Sequence, residues 1–129
     1  MENQSEPIRI LIVEDDPATR LMLQHYLKKK YEVYSCDAEV PFYEKINSIH
    51  FNVILMDISL GGIKDGLQLT TEIKADPRFK HIPVICMTAH AFQEDEENAF
   101  NAGVDAYMKK PISMEKLNQL IVSFIENKP

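Results

Sequence analysis

A doubly wound α/β fold, with five parallel strands and helices on both faces, is what this chain predicts, and three observations predict it. Short apolar runs rich in Val, Ile, Leu and Met fill residues 8–13, 53–56 and 84–87, as in strands covered on both faces. Stretches with apolar residues at helical spacing alternate with them, so that β-α recurs five times. Four strand-like runs also close on polar side chains: Glu14-Asp15-Asp16, Asp57, Thr88 and Lys110. In a parallel sheet the carboxyl ends of the strands share one edge, and open α/β folds bind ligands there.

Residues 8–13, Ile-Arg-Ile-Leu-Ile-Val, form the first strand. Asp16-Pro17 then starts a helix, with Asp16 as N-cap and Pro17 in the first helical position. Leu21, Met22, Leu23, Tyr26 and Leu27 give that helix a broad apolar side, and Lys28-Lys29-Lys30 complements its C-terminal dipole. Residues 31–36 alternate as a strand nearer the sheet edge would. Residues 38–49 read as a weaker helix, interrupted early by Pro41.

Residues 51–57 are the next buried strand, and 59–65 a glycine-bearing loop. Asp65-Gly66-Leu67-Gln68 has the pattern of a capped helix start, and Asp76-Pro77 ends that helix. Residues 82–87 form a fourth strand, followed by a helix carrying Glu94, Asp95, Glu96 and Glu97, acids that its N-terminal dipole favours. Gly103 suits the left-handed position just past it. Residues 106–109 are a short fifth strand. Leu117, Leu120, Ile121, Phe124 and Ile125 then keep helical spacing to the chain end. Strand order 2-1-3-4-5 is a common solution for such a chain; its ligand edge lies between strands 1 and 3, beside Glu14, Asp15 and Asp57.

The length suits one domain over residues 1–129, with its core in 8–126 and no output domain attached. Fourteen basic against twenty acidic residues give a net charge of −6, which argues against nucleic acid or anionic lipid as partner. No apolar run approaches the roughly 18 residues of a membrane span, and residues 1–7 lack a signal-peptide pattern. Cys36 and Cys86 lie inside apolar runs with no metal-ligand spacing, as buried thiols of a reduced compartment do; the cytoplasm is the expected location.

Each polar group has a plain structural explanation. Asp16 is accounted for as a helix cap. Glu14 and Asp15 fit a solvated acidic turn or a metal site equally well. Asp57 alone suits a turn, Thr88 alone a helix start, and Lys110 alone the surface. Together they fit one chemistry. Carboxylates hold a hard cation such as Mg²⁺, one carboxylate attacks phosphorus, and a hydroxyl and an ammonium meet the phosphoryl oxygens. Alternation sends Lys109 and Lys110 to opposite sides, so only one reaches the site.

Val13-Glu14-Asp15-Asp16, Met56-Asp57-Ile58, Met87-Thr88-Ala89 and Lys109-Lys110-Pro111, in that order and each at a strand end, resemble the receiver domain of the bacterial response regulators over residues 8–126. The resemblance implies a flavodoxin-like (βα)5 fold. It implies that Asp57 accepts a phosphoryl group from a phosphohistidine on a histidine kinase or phosphotransfer protein. Glu14 and Asp15 match the family's metal carboxylates, and Ser59 supplies a backbone carbonyl to Mg²⁺ or another divalent cation.

Thr88 matches the switch hydroxyl, Lys110 the lysine that pairs with the phosphoryl group, and Tyr107 the aromatic switch residue. The Lys110–Pro111 bond matches one that is usually cis. A downstream protein would read the surface of the fourth helix, fifth strand and last helix, with Phe92, Ala99, Phe100 and Tyr107 as contacts. Two departures stand out. The loop 59–66 has one residue more than many members and lacks their Met-Pro pair, and His90 stands where the family tunes water access to the acyl phosphate.

Two other functions use similar residues. A Mg²⁺-dependent phosphatase working through an aspartyl phosphate needs a second Asp two residues past the nucleophile, where this chain has Ser59. A flavin carrier on the same strand order needs a Gly/Ser/Thr-rich phosphate loop, where Glu14-Asp15-Asp16 would repel the phosphate. A receiver that binds partners without phosphorylation would have shed some of these residues, and all are present.

Overall fold

Alternate residues of the first strand go to two different cores. The computed structural model describes residues 6–60, 64–89 and 93–126. Its elements are β1 (Arg9–Val13), α1 (Pro17–Leu27), β2 (Glu32–Cys36), α2 (Glu39–Ser48), β3 (Val53–Asp57), α3 (Gly66–Lys74), β4 (Val84–Thr88), α4 (Gln93–Ala102), β5 (Ala106–Lys109) and α5 (Met114–Glu126). Leu11 and Val13 pack with Phe42 and Ile46 of α2, Leu69 and Ile73 of α3 and Ala99 of α4. Ile10 and Ile12 pack with Leu23 and Leu27 of α1 and Leu117 and Ile121 of α5. Strand period 2 thus splits one sequence run between the two faces of the sheet.

The sheet runs β2-β1-β3-β4-β5, all pairs parallel, as predicted. β1 lies between β2 and β3, with Val13 opposite Cys36 on one side and Met56 on the other. Asp57 pairs with Met87 and Thr88 with Lys109, so the four polar strand ends share one edge.

Local signals account for three of the helix ends. The Asp16 side chain accepts from the Thr19 N–H at 3.0 Å, with Pro17 opening α1. Asp65 and Gln68 form a reciprocal capping box at α3. Gly103 has φ 110°, the left-handed conformation that ends α4.

Two expectations need correction. Pro41 does not interrupt α2, which runs unbroken from Glu39 to Ser48. It falls in the first turn, where the N–H groups have no intrahelical acceptor to lose. The apolar side of α1 is also not all core: Leu23 and Leu27 are buried, whereas Leu21 is 64% and Met22 46% exposed.

Lys74, at the end of α3, ties three segments together. Its ammonium donates to the carbonyls of Lys80 and Ile82 and to Asp105 Oδ2, at 3.2, 2.8 and 2.9 Å. Asp105 Oδ2 also accepts from the Val84 N–H at 2.8 Å. Cys36 and Cys86 are buried and unpaired with each other, and burial pushes both thiols up to about 12.

Candidate functional site

The carboxyl ends of β1, β3, β4 and β5 deliver the predicted residues to one place. Carboxylate oxygens of Glu14, Asp15 and Asp57 lie within 4.8 Å of one another. The Lys110 ammonium stands 2.8 Å from Glu14 Oε1 and 3.6 Å from Asp57 Oδ2. Glu14 and Asp57 are buried, and Asp15 faces solvent. Lys109, the neighbour, points instead into a groove on the far side of β5, so the alternation argument held.

Backbone contacts fix these side chains. The Ser59 N–H donates to Asp57 Oδ1 at 3.0 Å, and Ile58 N–H to the Met87 carbonyl at 3.1 Å. Lys110 N–H donates to the Thr88 carbonyl at 2.7 Å, coupling the turn after β5 to the end of β4. Thr88 is buried there. The Lys110–Pro111 peptide is cis. Asp16 serves as the cap of α1, and its N–H donates to Glu14 Oε2 at 3.2 Å.

Electrostatics make the site demanding. Burial pushes Glu14 up to about 6; Lys110 opposes this and the nearby Asp57 carboxylate adds to it. For Lys110, burial pulls the ammonium down, but the carboxylates of Glu14 and Asp57 outweigh it and hold the pKa above its ordinary value. Three carboxylates face one ammonium. Glu14 is fully buried, and the Lys110 ammonium at 2.8 Å is the partner of its Oε1. Three clustered carboxylates, two of them buried and offset by one ammonium, fit a hard divalent cation taking oxygen ligands. Mg²⁺ or a similar cation fits the donor set.

Two residues to which the sequence reading gave no part in the site, Gly66 and Arg20, shape this edge. A Cβ on Gly66 would lie 2.3 Å from the Asp57 carbonyl oxygen and 2.8 Å from Ile58 Cα, so the first turn of α3 sits directly on the Asp57 backbone. A glycine just inside a capped helix was the available signal. Arg20 Nη1 donates to the Glu14 carbonyl at 2.9 Å, a contact six residues back that no periodicity marks.

Tyr107 lies on the other side of β5. With Lys109, Pro111, Lys116 and Leu120 it lines a groove of about 770 Å³ between α4 and α5. Burial raises the phenol's pKa, with Cys86, Asp95 and Glu96 adding to it, and Glu96 lines the α4 side of the groove. Phe100 is exposed on α4 and Ala99 is buried. His90 and Phe92, which the sequence reading singled out, and residues 61–63 of the loop 59–66 lie outside the described residues.

Comparison with known proteins agrees with this geometry. The family model described as response regulator receiver domain matches residues 10–122. The chain is 32% identical over 117 residues to the polar-differentiation response regulator DivK of Brucella ovis, covering 90% of this chain and 94% of that one. It is 30% identical over 120 residues to the sensor protein GacS of Pseudomonas syringae pv. syringae, covering 90% of this chain but 13% of that one. Among solved structures it resembles the receiver domain of a sensor histidine kinase from Pseudomonas aeruginosa, which has a magnesium ion coordinated in its active site cleft. That match has 29% identity and a TM-score of 0.85, covering 95% of this chain and all of the other.

Proposed function

The chain belongs to the response-regulator receiver domains, a phosphorylation-dependent switch family of two-component signalling, and on that premise we propose that Asp57 is its phosphoacceptor. The observation that carries this is the meeting of Glu14, Asp15 and Asp57 oxygens within 4.8 Å, beside the Lys110 ammonium. The donor is a phosphohistidine on a histidine kinase or phosphotransfer protein in the cytoplasm. An Asp57 carboxylate oxygen attacks phosphorus, a P–O bond forms, and the P–N bond breaks with its electron pair staying on the imidazole nitrogen.

Glu14, Asp15, Asp57 and the Ser59 carbonyl would hold Mg²⁺. When bound, the cation offsets the negative charge of the carboxylates and of the incoming phosphoryl group. The Ser59 N–H keeps the Asp57 carboxylate oriented. Lys110 turns from Glu14 toward the phosphoryl oxygens, supplying a point charge. Thr88, at the end of β4, donates its hydroxyl proton in a hydrogen bond to the same group, and water or small phosphodonors serve the intrinsic phosphorylation and dephosphorylation chemistry.

The signal is a population shift in which Thr88 and Tyr107 move together and a downstream protein reads α4, β5 and α5. The groove beside Tyr107 supports that surface. Its α4 wall carries Glu96, whereas Lys109 and Lys116 line the rest of the same partly apolar cleft, so both signs of charge are offered to a partner.

Incubation with a small phosphodonor and Mg²⁺ tests the assignment. Wild-type protein is expected to take up base-labile phosphate, and Asp57→Ala none. Undiminished uptake by the variant would reject Asp57.

A further inference from the structure

Glu14 is gripped from both sides of its own strand end. Its N–H donates to the Cys36 carbonyl of β2 at 3.0 Å, and its carbonyl accepts from Arg20 Nη1 at 2.9 Å. The second contact matters more to chemistry. The Glu14 carbonyl belongs to the planar peptide joining the Cα atoms of Glu14 and Asp15, so the plane's tilt sets where both carboxylates aim. Arg20 reaches it from α1 while its own N–H bonds the Asp16 carbonyl at 3.0 Å. The guanidinium is therefore anchored on the helix that the acidic corner leads into.

Resting on the cation site proposed above, we propose that Arg20 is a positioning residue for that site: it locks the Glu14–Asp15 peptide so that both carboxylates face Asp57. Its Nη1 donates to a backbone oxygen, so it acts on the ligands through the peptide that carries them. Lys110 has the opposite arrangement, lying directly on the carboxylate oxygens.

Charge and position make opposite forecasts here. A guanidinium near an acidic cluster repels a divalent cation, so a purely electrostatic Arg20 would weaken Mg²⁺ binding, and its removal would tighten it. A positioning Arg20 strengthens binding, and its removal loosens the ligand set.

The measurement is a Mg²⁺ titration of the whole protein followed by amide NMR shifts, with wild type, Arg20→Met and Arg20→Lys compared. Met keeps the apolar stem, and Lys keeps the charge without the planar fork. Arg20→Met is expected to weaken Mg²⁺ binding about five-fold, the loss of one directed hydrogen bond, and Arg20→Lys to fall between it and wild type. Thermal unfolding without Mg²⁺ is recorded alongside, because a merely structural role would lower the midpoint and leave the folded protein's Mg²⁺ affinity unchanged.

Binding by Arg20→Met as tight as wild type, or tighter, overturns the proposal. Where that variant does not fold, unchanged affinity in Arg20→Lys overturns it instead. Wild-type protein that shows no Mg²⁺ response overturns the cation site itself and the role of Arg20 with it, an outcome distinct from the other two.

Discussion

The Lys110 ammonium is closer to Glu14 than to Asp57, at 2.8 Å against 3.6 Å. Glu14 closes β1 and Asp57 closes β3, neighbouring strands, so one side chain from beyond β5 reaches across the edge to both. Its pairing with Glu14 offsets the burial of an acid that has no exposure of its own. Lys110→Met would leave two buried carboxylates facing each other, and folding stability is expected to fall by about 1–3 kcal/mol at pH 8. The loss is expected to shrink at pH 5, where Glu14 can protonate. Urea unfolding at the two pH values checks this, and an equal loss at both would contradict it.

Glu14 also makes stability depend on pH. Its folded pKa, about 6, is raised from an ordinary 4.5, so the folded protein holds the proton more tightly than the unfolded chain. Stability from this group is therefore fully present below about pH 4.5 and is lost as pH rises through about 6. The shift corresponds to about 2 kcal/mol at about 1.4 kcal/mol per unit. Asp16 and Asp76, held below their ordinary range by Thr19 and Arg78, act in the opposite sense and at lower pH. The difference between wild type and Glu14→Gln in urea unfolding from pH 4.5 to 7 isolates the Glu14 slope; parallel curves would refute it. Saturating Mg²⁺ is expected to flatten the wild-type slope, since a bound cation favours the carboxylate.

Gly66→Ala is expected to damage the site through the backbone. The new methyl group would collide with the Asp57 carbonyl and the Ile58 backbone, neither of which can swing aside as a side chain does. A stability loss of about 1–3 kcal/mol follows from overpacking at this contact, together with weaker Mg²⁺ binding in the NMR titration. A variant with wild-type values for both would show that α3 can move away at no cost.

Lys74→Met removes one ammonium from three acceptors and leaves Asp105 to the Val84 N–H alone among the bonds described here. Lys74 is largely buried, and a loss of about 2–3 kcal/mol is expected. Thermal denaturation checks the size. Phosphorylation at Asp57 is expected to persist in the folded variant, because the cluster sits at the opposite end of the strands.

Much of this was legible beforehand because each strand end announces itself in one dimension. An apolar run followed by Glu14-Asp15-Asp16 or by Asp57 needs no partner to be noticed, and the parallel sheet brings such ends together. The capping box at Asp65 and Gln68 is equally local. Contacts set by three-dimensional approach were not legible. Lys74 meets Asp105 across 31 residues, and Gly66 matters because of the Asp57 carbonyl above it. The apolar side of α1 misled for a related reason: periodicity gives the direction of a face but not the width that the sheet can cover.

The two thiols turn the molecule into its own stopwatch. Cys36 ends the edge strand β2 and holds the Glu14 N–H through its carbonyl, whereas Cys86 lies within β4 between two other strands. With both thiols protonated at neutral pH, neither reacts with an alkylating reagent until the structure around it opens. Labelling at Cys36 therefore times the peeling of the strand beside the acidic corner, and labelling at Cys86 times the opening of the whole sheet. The gap between the two rates measures how tightly the acidic corner is coupled to the rest of the fold.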